Sequence, residues 1–278
     1  MSYNSISVIC PCYNEEPNID ELIFRVENVL KKINEPYEII LIDDASTDKT
    51  WLKIQDHSNK NPNIKSYKHK KNLGLAETWK TGVNMAEKNL SIVIDSDLQY
   101  QPEDIYRLYN YLILNKTDIV QGWRSSIERK INFRFIASKI LNNLLNLMFN
   151  MNLKDNKSGF IICETVILKD ILSHKFKYNY YQTFLLIAAN KKKYTISDIE
   201  VIFEERTSGK SFLPNIPIIA SLKVLIDICK AFVEFNFLKN TDDDLLESYS
   251  QRINDKNSRS LASKLLLNIY FITLPLHT

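Results

Sequence analysis

At 278 residues, 45% hydrophobic and 25% charged, the chain has the size and composition of one large globular domain, or of one domain with an appendage. Lys plus Arg number 36 against 33 Asp plus Glu, a formal net charge of +3, too mild to indicate nucleic acid as a partner. The basic clusters KHKK at 68–71 and KKK at 191–193 read as solvated surface. The opening MSYNSISVIC has no basic segment leading into a long apolar one, so no signal peptide is expected. No window approaches about 18 uncharged apolar residues, so no membrane span is expected either. A cytoplasmic protein follows, or one attached to a membrane from its cytoplasmic side. Cys10 and Cys12 lie two apart on one strand, but no second pair completes a zinc site; they read as free thiols in a reducing compartment.

In chain order, ISVICPCYN is a short buried strand breaking at Pro11, followed by a helix to Ile33 with Asn18 as N-cap and Leu22, Val26, Val29 and Ile33 on one stripe. YEIILIDDAS is a strand with a near-continuous apolar run, as in a sheet covered on both faces. Ser46, Thr47 and Asp48 cap the next helix, TWLKIQDHS. The strand NIKSYKH, the helix LAETWKTGVNMAEK and the strand LSIVID follow. This alternation predicts an α/β fold: a mostly parallel sheet flanked by helices. Ligands of such sheets bind beyond the carboxyl ends of the strands, where three strands end in Tyr13-Asn14-Glu15-Glu16, Asp43-Asp44 and Asp95-Ser96-Asp97.

The second half is less regular. TDIVQGWR, SGFIICE and YTISDIEVIFEER read as strands, and 133–153 as a long apolar helix whose only charges are Arg134 and Lys139. Residues 217–237 read as an amphipathic helix, with Lys223, Asp227, Lys230 and Glu234 on one charged face. The expected organisation is a catalytic domain over 1–215, an amphipathic helix over 216–240, and a polar linker with a short apolar end over 241–278.

Asp95 and Asp97, two apart after a strand, can aim at one pocket, with Gln99 adding a neutral oxygen. Mg²⁺ or Mn²⁺ on a diphosphate takes only one or two protein carboxylates, and would offset charge on a leaving nucleotide diphosphate. The alternative is a turn before Pro102. Asp44 has an alternative too, as the start of the turn into Ser46.

P-C-Y-N-E-E, L-I-D-D-A-S-T-D, N-L-G, D-S-D-L-Q, S-G-F and E-R-T-S-G-K-S occur in that order. Together they resemble family 2 glycosyltransferases of the GT-A fold, and more narrowly the dolichyl-phosphate mannose synthase and polyprenyl-phosphate glycosyltransferase branch, over roughly residues 5–215. The resemblance implies that Pro11, Tyr13, Glu15 and Asp44 hold the nucleotide base and ribose. It implies that Asp95 contacts ribose and metal, with Asp97 and Gln99 on the metal. It further implies Arg124 near phosphate, Arg134 and Ser138 facing an acceptor phosphate, and Arg206 with Lys210 or Ser211 closing over the diphosphate.

Relatives that glycosylate a hydroxyl need an acidic base late in the domain; here the comparable stretch, YNYYQTFLLIAAN, holds no carboxylate. A phosphate acceptor is already an anion and needs cations instead, which Arg124, Arg134 and Arg206 supply. The expected reaction is therefore inverting transfer from a UDP-, GDP- or dTDP-sugar to a polyprenyl phosphate, in surface glycan or glycolipid synthesis. Thr183 stands where that branch often has an acidic residue. The helices 133–151 and 217–237 are candidates for lying on a membrane surface, with core packing and a homo-oligomer interface as their other uses. The rival readings are transfer to a sugar hydroxyl of a growing glycan, and a non-catalytic nucleotide-sugar-binding relative.

Overall fold

The computed structural model describes residues 5–124, 133–173, 178, 181–204 and 226–235, with backbone alone for 133–138. Its strands are β1 (Ile6–Cys12), β2 (Tyr37–Asp43), β3 (Ile64–Lys68), β4 (Leu90–Val93), β5 (Ile119–Arg124), β6 (Ile161–Glu164) and β7 (Ile196–Val201). Its helices are α1 (Ile19–Ile33), α2 (Thr50–Lys60), α3 (Leu75–Met85), α4 (Asp104–Leu114), α5 (Phe133–Phe149), α6 (Thr165–Leu172) and α7 (Tyr181–Lys191), and residues 226–235 are helical, here α8.

The strands form one sheet in the order β3-β2-β1-β4-β6-β5-β7. Every pairing is parallel except those of β6, which runs antiparallel to both β4 and β5. The start of β6 therefore reaches the edge where β4 and β5 end. β1 is buried along its whole length, as a strand covered on both faces must be. α1 lays Ile19, Leu22, Ile23, Val26, Val29 and Leu30 on the sheet, and left-handed Asn34 closes it by donating its amide to Leu30.

Local details differ from the sequence reading. Asn18 occupies the N-cap position with near-helical angles, so its side chain makes no capping bond and instead donates Nδ2 to Glu15 Oε2 at 2.6 Å. Of the 46–48 run, Asp48 does the work at the start of α2, accepting the Thr50 amide at 3.0 Å. β4 stops at Val93, short of Asp95, and α5 stops at Phe149, before left-handed Asn150. α6 and α7 are additional: α7 buries Tyr181 and Thr183–Ala189, so it carries no polar stripe to betray a helical period.

On α8 the acidic residues of the charged face point inward: Asp227 is 0% and Glu234 2% exposed, and Glu234 Oε2 accepts the Tyr178 hydroxyl at 2.5 Å. Ile228 and Ala231 pack with Leu145, Phe149, Tyr178, Phe184 and Ile187. Ile226, Phe232 and Val233 are left exposed, as are Ile140, Leu144, Leu147 and Met148 on α5. The chain divides into two units, Met1–Phe235 and Asn236–Thr278; the second lies outside the described residues. Among the described residues, no helix is long and apolar enough to cross a membrane.

Candidate active site

The parallel register brings the polar strand ends together. Cys12 pairs with Asp43, so Tyr13 and Asp44 leave adjacent strands side by side, and the Asp44 amide bonds Cys12 O at 2.9 Å. The two loops are then laced: Asn14 N donates to Ser46 Oγ at 2.9 Å, Glu15 N to Thr50 Oγ1 at 2.8 Å and Thr47 N to Asn14 Oδ1 at 2.8 Å. Left-handed Asn14 and Ala45, at φ 56° and 61°, make this tight lacing possible. Glu15 is buried within it.

Past β4, the Ser96 hydroxyl donates to Pro11 O at 2.8 Å, fixing the D-S-D turn against the first loop. Asp97 is buried and its Oδ1 accepts the Gln99 amide at 3.1 Å, across a left-handed Leu98 at φ 58°. Gln99 in turn exchanges two bonds with Glu204: Nε2 to Glu204 O at 3.1 Å, and Glu204 N to Gln99 O at 2.9 Å. The end of β7 is thus tied to the turn that carries both aspartates.

Asp95 sits against Gly159. A Cβ on that glycine would lie 3.0 Å from Asp95 Oδ2 and 2.5 Å from Gln182 Nε2, so the carboxylate and the amide both use the space a side chain would fill. Antiparallel β6 makes this meeting possible, because Ser158 and Gly159 precede it at the shared edge. Ser158 Oγ accepts from the Tyr100 hydroxyl at 3.2 Å and donates to Gly122 O at 2.5 Å. Burial raises Tyr100 to about 12, so it stays a neutral donor.

Arg124 ends β5 and is held at two points by Asp155, Nε to Oδ2 at 2.6 Å and Nη2 to Oδ1 at 3.1 Å, with Phe203 under its guanidinium at 5.1 Å. Burial opposes its charge, yet Tyr100, Asp155 and Asp95 together push its pKa up, which also places the Asp95 charge within electrostatic reach. Arg124 thus enters the site as a fixed cation.

Asp44 is more committed than the sequence implied. Oδ1 accepts the Leu73 amide at 2.8 Å and faces His69 Nδ1 at 2.7 Å, while Oδ2 accepts the Gly74 amide at 2.8 Å. His69, read from sequence as part of a solvated basic run, is 5% exposed, with Nε2 2.9 Å from Thr81 Oγ1. Beside it Asp43 is buried, accepting the Ser46 amide at 3.2 Å and facing Lys68 Nζ at 3.4 Å.

Arg134 and Ser138 fall on α5 but their side chains lie outside the described residues, as do Arg206, Lys210 and Ser211 entirely. His69, Asp155, Gly159 and Gln182 were missed. Only Gly159 carried a local signal, in S-G-F; the others acquire meaning through partners far away in the chain, as His69 does from Asp44, 25 residues before it.

No group of three or more His, Cys, Asp or Glu suited to a metal occurs among the described residues. Asp95 and Asp97 still fit a hard divalent cation shared with a diphosphate, which needs one or two carboxylates, and the missing Cβ at Gly159 lets the Asp95 carboxylate lie against the backbone there. Cys10 and Cys12 are buried, and burial pushes both thiols up, Cys10 to about 12, so neither is a ready ligand or nucleophile.

The architecture is that of known GT-A structures. Glucosyl-3-phosphoglycerate synthase from Mycobacterium tuberculosis, solved with Mn²⁺, UDP and glucosyl-3-phosphoglycerate, superposes with a TM-score of 0.61 at 14% identity, over 86% of this chain and 82% of that one. S. aureus TarS 1–349 in complex with UDP-GlcNAc gives 0.56 at 21% identity, over 89% and 72%. The dolichol-phosphate mannosyltransferase of Pyrococcus furiosus is 31% identical over 232 residues, 81% of this chain and 64% of the relative. The undecaprenyl-phosphate 4-deoxy-4-formamido-L-arabinose transferase of Pectobacterium atrosepticum is 31% identical over 208 residues, 74% and 62%. The chain thus spans 62–64% of the length of these relatives. The model of glycosyl transferase family 2 matches residues 7–175, and the chain belongs to that family.

Proposed function

We propose that the protein is an inverting glycosyltransferase that moves a sugar from a nucleotide-diphosphate donor to a polyprenyl phosphate. The observation that carries the reading is the shared edge of Asp95, Asp97 and Arg124: two carboxylates suited to a cation on a diphosphate, beside a fixed guanidinium suited to a phosphate. The acceptors named in its relatives, dolichol phosphate and undecaprenyl phosphate, support the same acceptor class. Metal use agrees with the Mn²⁺ in the mycobacterial structure.

In this reading the Tyr13 and Asp44 loops hold the base and ribose. Asp95, Asp97 and Gln99 hold Mg²⁺ or Mn²⁺, which when bound offsets charge on the departing diphosphate. Arg124, with Arg134 and Arg206, draws the acceptor phosphate in line with the anomeric carbon. A phosphate oxygen forms the new bond to that carbon as its bond to the donor diphosphate breaks, with inversion. Because the nucleophile is already an anion, no base takes up a proton, in keeping with an α7 that has no carboxylate. Rate comes from positioning and charge.

The helices α5 and α8 expose apolar residues in a manner suited to peripheral contact with a membrane holding the lipid acceptor. Sugar transfer from UDP-, GDP- and dTDP-sugars to undecaprenyl phosphate in detergent, with Mn²⁺ and with EDTA, tests the reading. A metal-dependent glycolipid is expected. Donor hydrolysis without glycolipid would refute the acceptor, and inertness with every donor would refute the enzyme.

A further inference from the structure

A carboxylate has about four acceptor positions, two on each oxygen. Asp44 fills three of them from its own chain: both on Oδ1, through the Leu73 amide and His69, and one on Oδ2, through the Gly74 amide. The side chain keeps 6% exposure, so one acceptor position on Oδ2 is what it can offer a ligand. His69 cannot easily release its share. It is buried, its other nitrogen is engaged by Thr81 of α3, and Tyr67 packs edge-on at 5.7 Å.

Nucleobases differ in what they ask of such a group. Uracil and thymine present one imide N–H. Guanine presents N1–H and a neighbouring amino N–H side by side, a pair that calls for both oxygens of one carboxylate. We propose that His69 and the Leu73 amide together saturate Oδ1 of Asp44, leaving only the Oδ2 position beside the Gly74 amide, and so make the site select uridine or thymidine diphosphates over guanosine diphosphates. His69 is then a positioning residue that sets donor choice by occupying an acceptor. This rests on the reading that Asp44 meets the nucleotide base. A guanine donor group left unpaired at a desolvated contact weakens binding by about tenfold or more.

Calorimetric titration of the full chain with UDP, dTDP and GDP, each with Mn²⁺, tests the proposal. UDP or dTDP is expected to bind at least about tenfold more tightly than GDP. In His69→Ala, which returns an acceptor position to Oδ1, that ratio is expected to shrink. Equal or tighter GDP binding by the wild-type chain would overturn the selectivity while leaving a nucleotide-dependent transferase standing. Uniform weakening of all three nucleotides in His69→Ala would reduce His69 to a structural role and overturn its part. Failure of every nucleotide to bind would overturn the proposed function as well. The wild-type comparison stands even if the variant does not fold.

Discussion

Arg124 and Asp155 meet as a two-point ion pair, with Nε–Oδ2 at 2.6 Å and Nη2–Oδ1 at 3.1 Å, joining the end of β5 to the loop before β6. The pair aligns the guanidinium and keeps it from swinging away. The loop is fastened behind it: Asn142 and Asn146 of α5 each donate Nδ2 to Leu153 O at 2.9 Å.

Removing one partner leaves the other charge buried. Asp155→Ala is expected to destabilise the fold by about 3–5 kcal/mol, measured by urea denaturation. Arg124→Lys keeps the charge but not the fork, and is expected to cost stability and activity together. Wild-type stability in Asp155→Ala would show that the pair does not hold this edge.

Gly159→Ala addresses the aspartates from the other side. The new Cβ would lie 2.5 Å from Gln182 Nε2, which must shift, and 3.0 Å from Asp95 Oδ2, which must give slightly. Transfer activity in the presence of Mn²⁺ is expected to fall, by less than the roughly 100-fold that a displacement of about 1 Å would cost. Asp97→Ala is expected to lose Mn²⁺-dependent nucleotide binding with its thermal midpoint near wild type. Full activity in Gly159→Ala would mean that the position of Asp95 is not critical.

Glu38 gives a pH test far from the site. It is buried and would be raised by burial, but Lys65 at 2.7 Å, the Ser7 hydroxyl at 2.6 Å and the Glu87 amide at 2.7 Å hold its pKa below the usual 4.5. A carboxyl depressed in the folded state stabilises the fold above its unfolded pKa, and that contribution is lost as pH falls through the folded value. Glu38→Gln is therefore expected to lower stability by about 1–3 kcal/mol at pH 7, with a smaller deficit as the pH drops below 4.5. Equal deficits at pH 7 and pH 3 would refute the charged role.

Exposed apolar residues on two helices invite a surface test. Leu147 is 82% and Phe232 43% exposed. Leu147→Ser combined with Phe232→Ser is expected to reduce sedimentation with anionic lipid vesicles several-fold while leaving thermal stability unchanged. Unaltered vesicle binding would remove these residues from the proposed membrane contact.

The sequence by itself determined the alternating α/β half, because a strand covered on both faces and a helix with one apolar stripe leave different periods, as Ile6–Cys12 and Ile19–Ile33 do. It also delivered the ordered motifs that carry the family resemblance. Helices without a stripe, such as α7, left no such trace. The inward face of α8 was not legible for a related reason: periodicity groups Asp227 and Glu234 on one side but does not say whether that side meets water or Tyr178. Tertiary structure alone decided the partners of the site residues. Antiparallel β6 brings Gly159 to Asp95, and the β2–β3 edge brings His69 to Asp44. Those contacts cross long stretches of chain, and only the packed sheet fixes which distant groups share a carboxylate.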